Sequence, residues 1–177
     1  MRRILAAFAF AALLISGAHA QSSTDAAMEA AAEFGPAVGS IAPEFVVTDA
    51  TGQVRTLANL SGENGVVIYF NRSLDWCPIC LRQALEVDAA QEAFEAAGWD
   101  VALLTYDSAK TLARVADQRE LTLTLLGDEA IEVIDAFDVR DPIYADPDHM
   151  AHGVPYPIAF AIRPNGEIVG KFWHEAG

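Results

Sequence analysis

The apolar positions of this chain fall into runs whose spacing changes along its length. Phe45-Val46-Val47-Thr48 and Val54-Arg55-Thr56-Leu57 are short strand-like stretches on either side of Asp49-Ala50-Thr51-Gly52, which predicts an opening β-hairpin. Leu60 to Gly65 reads as loop. Val66-Val67-Ile68-Tyr69-Phe70 is apolar without a break, as a strand buried on both faces requires. From Pro78 to Gly98 the spacing becomes helical: Cys80, Val87, Ala90, Phe94 and Ala97 share one face, and Asp88, Glu92 and Glu95 lie opposite. Val101 to Tyr106 predicts a strand, and Ser108 caps a helix to about Arg119. Leu121 to Leu126 predicts another strand, and Asp128 caps a short helix to about Phe137. Residues 140–156 read as loop. Ile158 to Ile162 and Glu167 to Trp173 flank Arg163-Pro164-Asn165-Gly166, a second hairpin signal. The order is hairpin, β-α-β-α-β-α, hairpin. It predicts an α/β domain with a central mixed sheet, helices on both faces and an N-terminal β-hairpin extension.

The first residues do not fit that pattern. Arg2 and Arg3 precede an apolar run, Ile4 to Ile15, that is too short to span a bilayer. Ala18-His19-Ala20 then forms a small-x-small cleavage signal, so residues 1–20 are expected to be a signal peptide, the alternative being a short membrane anchor. Residues 21–38, rich in Ser, Ala and Glu, read as a flexible tail or a marginal helix (Asp25 to Phe34), and the domain as residues 39–177. A periplasmic or secreted location follows from this reading.

Charge narrows the partners. The chain carries −14 at neutral pH. Without Arg2 and Arg3 it has 9 Lys and Arg against 25 Asp and Glu, or −16. Such a surface repels nucleic acid and anionic lipid, so neither is an expected partner once the signal is removed.

The candidate chemistry sits in Asp75-Trp76-Cys77-Pro78-Ile79-Cys80, which holds the only two cysteines. The preceding strand and following helix place the pair at a helix N-terminus, where unpaired N–H groups and the helix dipole favour a thiolate. Pro78 fits the first helical turn. Cys77 is expected at the exposed tip and Cys80 one turn on, facing inward. A structural crosslink across two residues would close too small a loop to constrain much unfolded-chain entropy. A tetrahedral zinc site would need two further ligands, and there is no second cysteine pair. The pattern points to a dithiol that cycles between reduced and oxidised forms.

Three blocks in this order resemble the redoxin group of the thioredoxin superfamily, which joins periplasmic thiol–disulfide oxidoreductases with alkyl hydroperoxide reductase/thiol-specific antioxidant (peroxiredoxin-like) proteins. The first is Gly39-Ser40-Ile41-Ala42-Pro43-Glu44-Phe45 with Asp49, Gly52, Leu57, Leu60 and Gly62. The second is Trp76-Cys77-Pro78-Ile79-Cys80, and the third is Gly153 through Ile162. The resemblance implies a thioredoxin-like fold over about residues 39–173. It also implies a cis peptide bond before Pro157, or else Pro155, beside the active-site sulfurs. Where peroxiredoxins carry a proline seven residues before the reacting cysteine and a threonine three before it, this chain has Phe70 and Leu74. Arg72 or Ser73 would have to act in their place. The thioredoxin fold closes with a helix, whereas this sequence reaches Gly177 just after its last strand, so either the sheet is covered otherwise or the sequence is incomplete.

The main functional expectation is thiol–disulfide exchange, with Cys77 attacking and Cys80 resolving and no cofactor required. Trp76, Tyr156, Pro157 and Arg72 are the candidate substrate contacts. Arg72 would favour the Cys77 thiolate and Asp75 oppose it. The first alternative is a peroxiredoxin-like, antioxidant thiol peroxidase, with Cys77 oxidised by a hydroperoxide and Cys80 condensing with it. The second is copper handling by the two thiolates with His149, Met150 and His152. The expected partners are a disulfide or hydroperoxide substrate and a thiol-based redox protein.

Overall fold

The computed structural model describes residues 34–173. The expected signal peptide and most of the expected tail lie outside the described residues. The elements are β1 (Val47–Asp49), β2 (Val54–Arg55), α1 (Leu57–Leu60), β3 (Gly65–Phe70), α2 (Pro78–Ala89), α3 (Gln91–Ala96), β4 (Trp99–Thr105), α4 (Ala109–Arg119), β5 (Thr124–Gly127), α5 (Glu132–Ala136), a 3-10 turn (Pro142–Tyr144), β6 (Ile158–Ile162) and β7 (Ile168–Trp173). One seven-stranded sheet runs in the order β2-β1-β5-β4-β3-β6-β7. β3, β4 and β5 are parallel, and β1, β6 and β7 join antiparallel. The mixed sheet, the N-terminal hairpin and the helices on both faces are as the sequence predicts.

The unbroken apolar run of β3 is explained by the two cores it separates. Val66, Ile68 and Phe70 pack with Phe137, Phe160, Leu57 and Val133 on the α1/α5 face. Val67 and Tyr69 point the other way, where Cys80, Ala84, Val87, Leu112 and Val115 of α2 and α4 pack. Side chains alternate along a strand, so both parities must be apolar when both faces are covered.

Four sequence expectations shift. The helix from Pro78 does not run unbroken to Gly98 but stops at Ala90 and restarts at Gln91, and Ala97 is exposed. Asp88 is no free surface charge: its Oδ1 accepts the N–H groups of Thr122 and Leu123. That side-chain bond replaces a ladder bond, so β5 begins at Thr124 rather than Leu121. Thr56-Leu57 leaves the strand early, because Leu57 and Leu60, three apart on one helical turn, are both buried. Asp128 caps α5 from beyond its end, accepting the N–H groups of Glu132, Val133 and Ile134.

Gly65 opens β3 at φ +132°, and a Cβ there would lie 2.1 Å from the Ile162 carbonyl oxygen. Gly52 also has positive φ, but its missing Cβ faces open space. Gly65→Ala therefore costs about 3 kcal/mol or more in urea unfolding, against about 1 kcal/mol for Gly52→Ala. In the opening hairpin, Asp49 accepts from Thr51 N–H and hydroxyl, Gln53 N–H and Arg55 Nε. Burial raises its carboxyl pKa, but these bonds outweigh it and hold the group below its ordinary 3.8. A lowered folded pKa stabilises the protein fully above the unfolded value and loses that contribution as pH falls through the folded one. The stability difference between the native protein and Asp49→Asn is thus constant above about pH 5 and shrinks on acidification below 3.8, which paired urea titrations measure.

Candidate active site

β3 ends at Phe70, the chain leaves the sheet through residues 71–76, and Cys77 is the N-cap of α2 with extended backbone (φ −101°, ψ 99°). Its sulfur accepts the N–H of Cys80 at 3.3 Å, and Pro78 takes the first helical position, where no N–H is needed. Cys77 and Cys80 are joined as a disulfide. Cys80 is 3% exposed and belongs to the α2/α4 core, whereas Cys77 is only partly buried. An opened bridge would leave the Cys77 sulfur at the positive end of a three-turn helix with an N–H already aimed at it, which favours the thiolate.

The approach to Cys77 is held by two polar anchors. Asn71, buried, donates from Nδ2 to Gln83 Oε1 (2.9 Å) and to the Cys80 carbonyl (3.5 Å), tying the start of the loop to α2. Asp107, just past β4, accepts the Ser73 hydroxyl (2.7 Å), the Leu74 N–H (2.8 Å) and the Thr105 hydroxyl (3.0 Å). Ser73 Oγ in turn accepts the N–H groups of Asp75 and Trp76. Burial pushes the Asp107 carboxyl up against the downward pull of Leu74, Ser73 and Thr105. Asp75, exposed, pairs with Arg114 of α4 at 2.5 Å, which offsets its charge beside the sulfur.

Of the candidate contacts, Trp76 directly precedes Cys77, and Pro157 lies beside Gln83 of α2. Trp76 is half-buried, and its indole N–H donates to Tyr106 Oη (2.8 Å), whose hydroxyl reaches the Met150 carbonyl (3.2 Å). Pro157 lines a cavity of about 200 Å³ with Gln83, Tyr69 and Phe172. The cis bond expected before Pro157 or Pro155 is not there: every described peptide bond is trans. Here Asp141 N–H bonds the Val154 carbonyl and Tyr156 N–H the Val139 carbonyl, so the chain runs extended into β6 without a reversal. Tyr156 goes to the other face, stacked on Phe34 (centroids 4.3 Å) against the α1/α5 core. The Arg72 guanidinium is not free either. It pairs with buried Asp141 (3.0 Å) and lies over the Tyr144 ring. Nor do the loop histidines converge on the thiols: His149 Nδ1 accepts the Ala151 N–H, and His152 Nδ1 bonds the Tyr144 carbonyl. Among the described residues no three His, Cys, Asp or Glu side chains are grouped to hold a metal ion.

Asn71, Gln83, Tyr106, Asp107, Arg114 and Asp141 were not singled out by the sequence reading. The one available signal was at Asp107, an acidic residue just beyond an apolar strand on the side where that strand meets the cysteine loop. If Asp107 acts through Ser73, the two are coupled. Asp107→Ala costs about 1–3 kcal/mol, and in a Ser73→Ala background it costs less, by an interaction energy of about 1 kcal/mol or more in a double-mutant cycle.

Comparison with known proteins agrees with this geometry. Residues 38–171 match the model of the AhpC/TSA family. The chain is similar to peroxiredoxin Bcp of Escherichia coli, 31% identical over 101 residues, 57% of this chain and 64% of that protein, just under two thirds of its length. It is also similar to the thiol-disulfide oxidoreductase ResA of Geobacillus kaustophilus, 26% identical over 133 residues, 75% of this chain and 67% of that protein. Among solved structures, the peroxidoxin BcpB of Mycobacterium tuberculosis superposes with a TM-score of 0.67 at 21% identity, covering 78% of this chain and 86% of the other, and shows the fold to be thioredoxin-like. With its bonded cysteine pair at the start of α2, this chain belongs to the AhpC/TSA family.

Proposed function

We propose that this protein is a thiol peroxidase that reduces hydroperoxides, with Cys77 as the attacking sulfur and Cys80 as the resolving one. The observation that carries the reading is the bonded pair itself. A partly accessible sulfur caps a helix, and its only possible cysteine partner is buried one turn away, in a chain of the AhpC/TSA family. The similarity to peroxiredoxin Bcp supports peroxide over disulfide as the oxidant.

In this scheme the Cys77 thiolate attacks the terminal oxygen of ROOH and the O–O bond breaks. The departing alkoxide takes a proton and leaves as ROH, and Cys77 becomes a sulfenic acid. The Cys80 thiolate attacks that sulfur, the S–O bond breaks, and the departing hydroxide takes a proton and leaves as water, giving the observed disulfide. Two electrons from an external dithiol then restore both thiols. The helix N-terminus stabilises the starting thiolate, and Trp76 and Pro157 wall the approach. Arg72 and Ser73 serve to fix the loop rather than to bind peroxide, since Asp141 and Asp107 hold them.

Thiol–disulfide exchange by the same sulfurs is the second reading. The Cys-x-x-Cys spacing and the similarity to ResA favour it. We place either activity outside the cytoplasm. The basic Arg2-Arg3, the short apolar run and Ala18-His19-Ala20 support export, and an oxidising compartment is compatible with a bonded Cys77–Cys80 pair.

Stopped-flow mixing of the reduced protein with hydrogen peroxide and with an alkyl hydroperoxide separates the two. Peroxidase action requires thiol loss at least about 100-fold faster than for free cysteine, corresponding to more than about 2.7 kcal/mol of barrier lowering. Cys77→Ser abolishes it, and Cys80→Ser halts at a sulfenic acid that dimedone traps. Thiol loss no faster than free cysteine would leave the exchange reading, with Cys80→Ser then holding a substrate protein in a mixed disulfide.

A further inference from the structure

Asp75 is the charged residue nearest to Cys77 in the sequence. Two residues apart, their α-carbons lie within about 7 Å of each other, so the direction of the carboxylate bears on the ionisation of the Cys77 sulfur. The backbone at Asp75 is fixed, because its N–H is given to Ser73 Oγ at 3.0 Å. The side chain has two places to go. One is α4, where it pairs with Arg114 Nη2 at 2.5 Å. The other is its own turn.

A loop aspartate turns readily onto the N–H two residues ahead of it. Three in this chain do so: Asp49 takes that of Thr51 at 2.8 Å, Asp141 that of Ile143 at 3.0 Å and Asp146 that of Asp148 at 3.0 Å. For Asp75 the N–H two ahead belongs to Cys77. A carboxylate seated there would bring a full negative charge to the start of α2, where the Cys80 N–H is given to the Cys77 sulfur at 3.3 Å. Aspartate competes well for N–H groups at a helix start, and a like charge beside the sulfur disfavours the thiolate. Arg114 is firmly presented against this alternative. Leu112 and Val115, which flank it in sequence, are buried in the α2/α4 core, and its Nη1 donates to Gln118 Oε1 at 3.3 Å. The other charges around the turn are engaged elsewhere: Arg72 with Asp141, Asp107 with Ser73 and Leu74, and Arg82 of α2 with Glu86.

We propose that Arg114 is a positioning residue for Cys77: it holds the Asp75 carboxylate on α4, keeps it off the Cys77 N–H, and so leaves the start of α2 to the sulfur. The inference rests on Cys77 being the reacting sulfur, as in both readings above, and adds the residue that governs its ionisation through a neighbour. It also accounts for an acidic residue standing next to a sulfur that must ionise. The acid does no harm there while α4 carries the arginine that holds it.

The test uses the full-length protein, reduced with dithiothreitol and freed of it. Alkylation by iodoacetamide is followed against pH, and the labelled cysteine is identified by peptide mass. No oxidant enters, so slow reaction with peroxide bears on the peroxidase reading alone. Arg114→Gln is expected to raise the midpoint for Cys77 by about 0.5–1 pH unit, and Arg114→Lys to restore most of that change. In an Asp75→Asn background Arg114→Gln moves the midpoint by less than about 0.2 unit, since the carboxylate that it controls is gone. Arg140→Gln, which breaks a comparably exposed pair with Asp135 of α5, leaves the midpoint where it is. A midpoint unmoved by Arg114→Gln, an equal shift with Asp75→Asn present, or an equal shift from Arg140→Gln would overturn the role of Arg114. Faster labelling of Cys80 than of Cys77 would instead overturn the assignment of the reacting sulfur.

Discussion

The N–H of Cys80 points at the Cys77 sulfur because the chain enters α2 at one fixed place, and two buried polar groups fix it. Asn71 ties the end of β3 to the first turns of α2, and Asp107 takes three donors from the loop and the end of β4. A carboxylate in such a place would be costly without donors, since burying an unpaired polar group loses several kcal/mol. With its donors in place it becomes a rigid pin. Ser73 must give its proton to Asp107, so its lone pairs remain for the N–H groups of Asp75 and Trp76. The helix start is thereby specified by a contact between the loops that follow β3 and β4 as well as by Pro78.

Much of this was legible in the chain. The two-faced apolar run of β3, the hairpin signals and the Cys-Pro-x-Cys helix start each depend on neighbours in sequence, and each lies where the pattern puts it. What was not legible depends on pairs far apart. Asp88 looked like a solvated helix charge because nothing in its surroundings announced Thr122 and Leu123, 34 and 35 residues on. Asp107 reaches back 34 residues to Ser73, and Asp141 69 residues to Arg72. The expectation for Pro157 failed for a related reason. Two bonds between residues 139–141 and 154–156 straighten the chain before β6, and they join the two ends of a stretch that read as a single loop. Tyr156 followed the same ladder to the opposite face, where Phe34 meets it.

The anchoring of Arg72 decides how the sulfur is activated. An arginine midway between the two expected peroxide-binding positions would be the natural substitute for groups that Phe70 and Leu74 cannot supply. Yet its partner Asp141 has no exposed side-chain surface, and Arg72 itself is largely covered. Freeing the guanidinium would leave a buried carboxylate unpaired, a loss of about 3–5 kcal/mol. A charge-assisted hydrogen bond to a peroxide oxygen returns about 1.5–3 kcal/mol, so Arg72 stays on Asp141. The positive potential at Cys77 then comes from the open end of α2, with Arg114 cancelling the opposing charge of Asp75. Activation by a helix terminus requires no side chain to move when the disulfide opens. It also favours any nucleophilic reaction of the Cys77 thiolate equally, so the helix terminus does not by itself choose between a hydroperoxide and a disulfide as the oxidant.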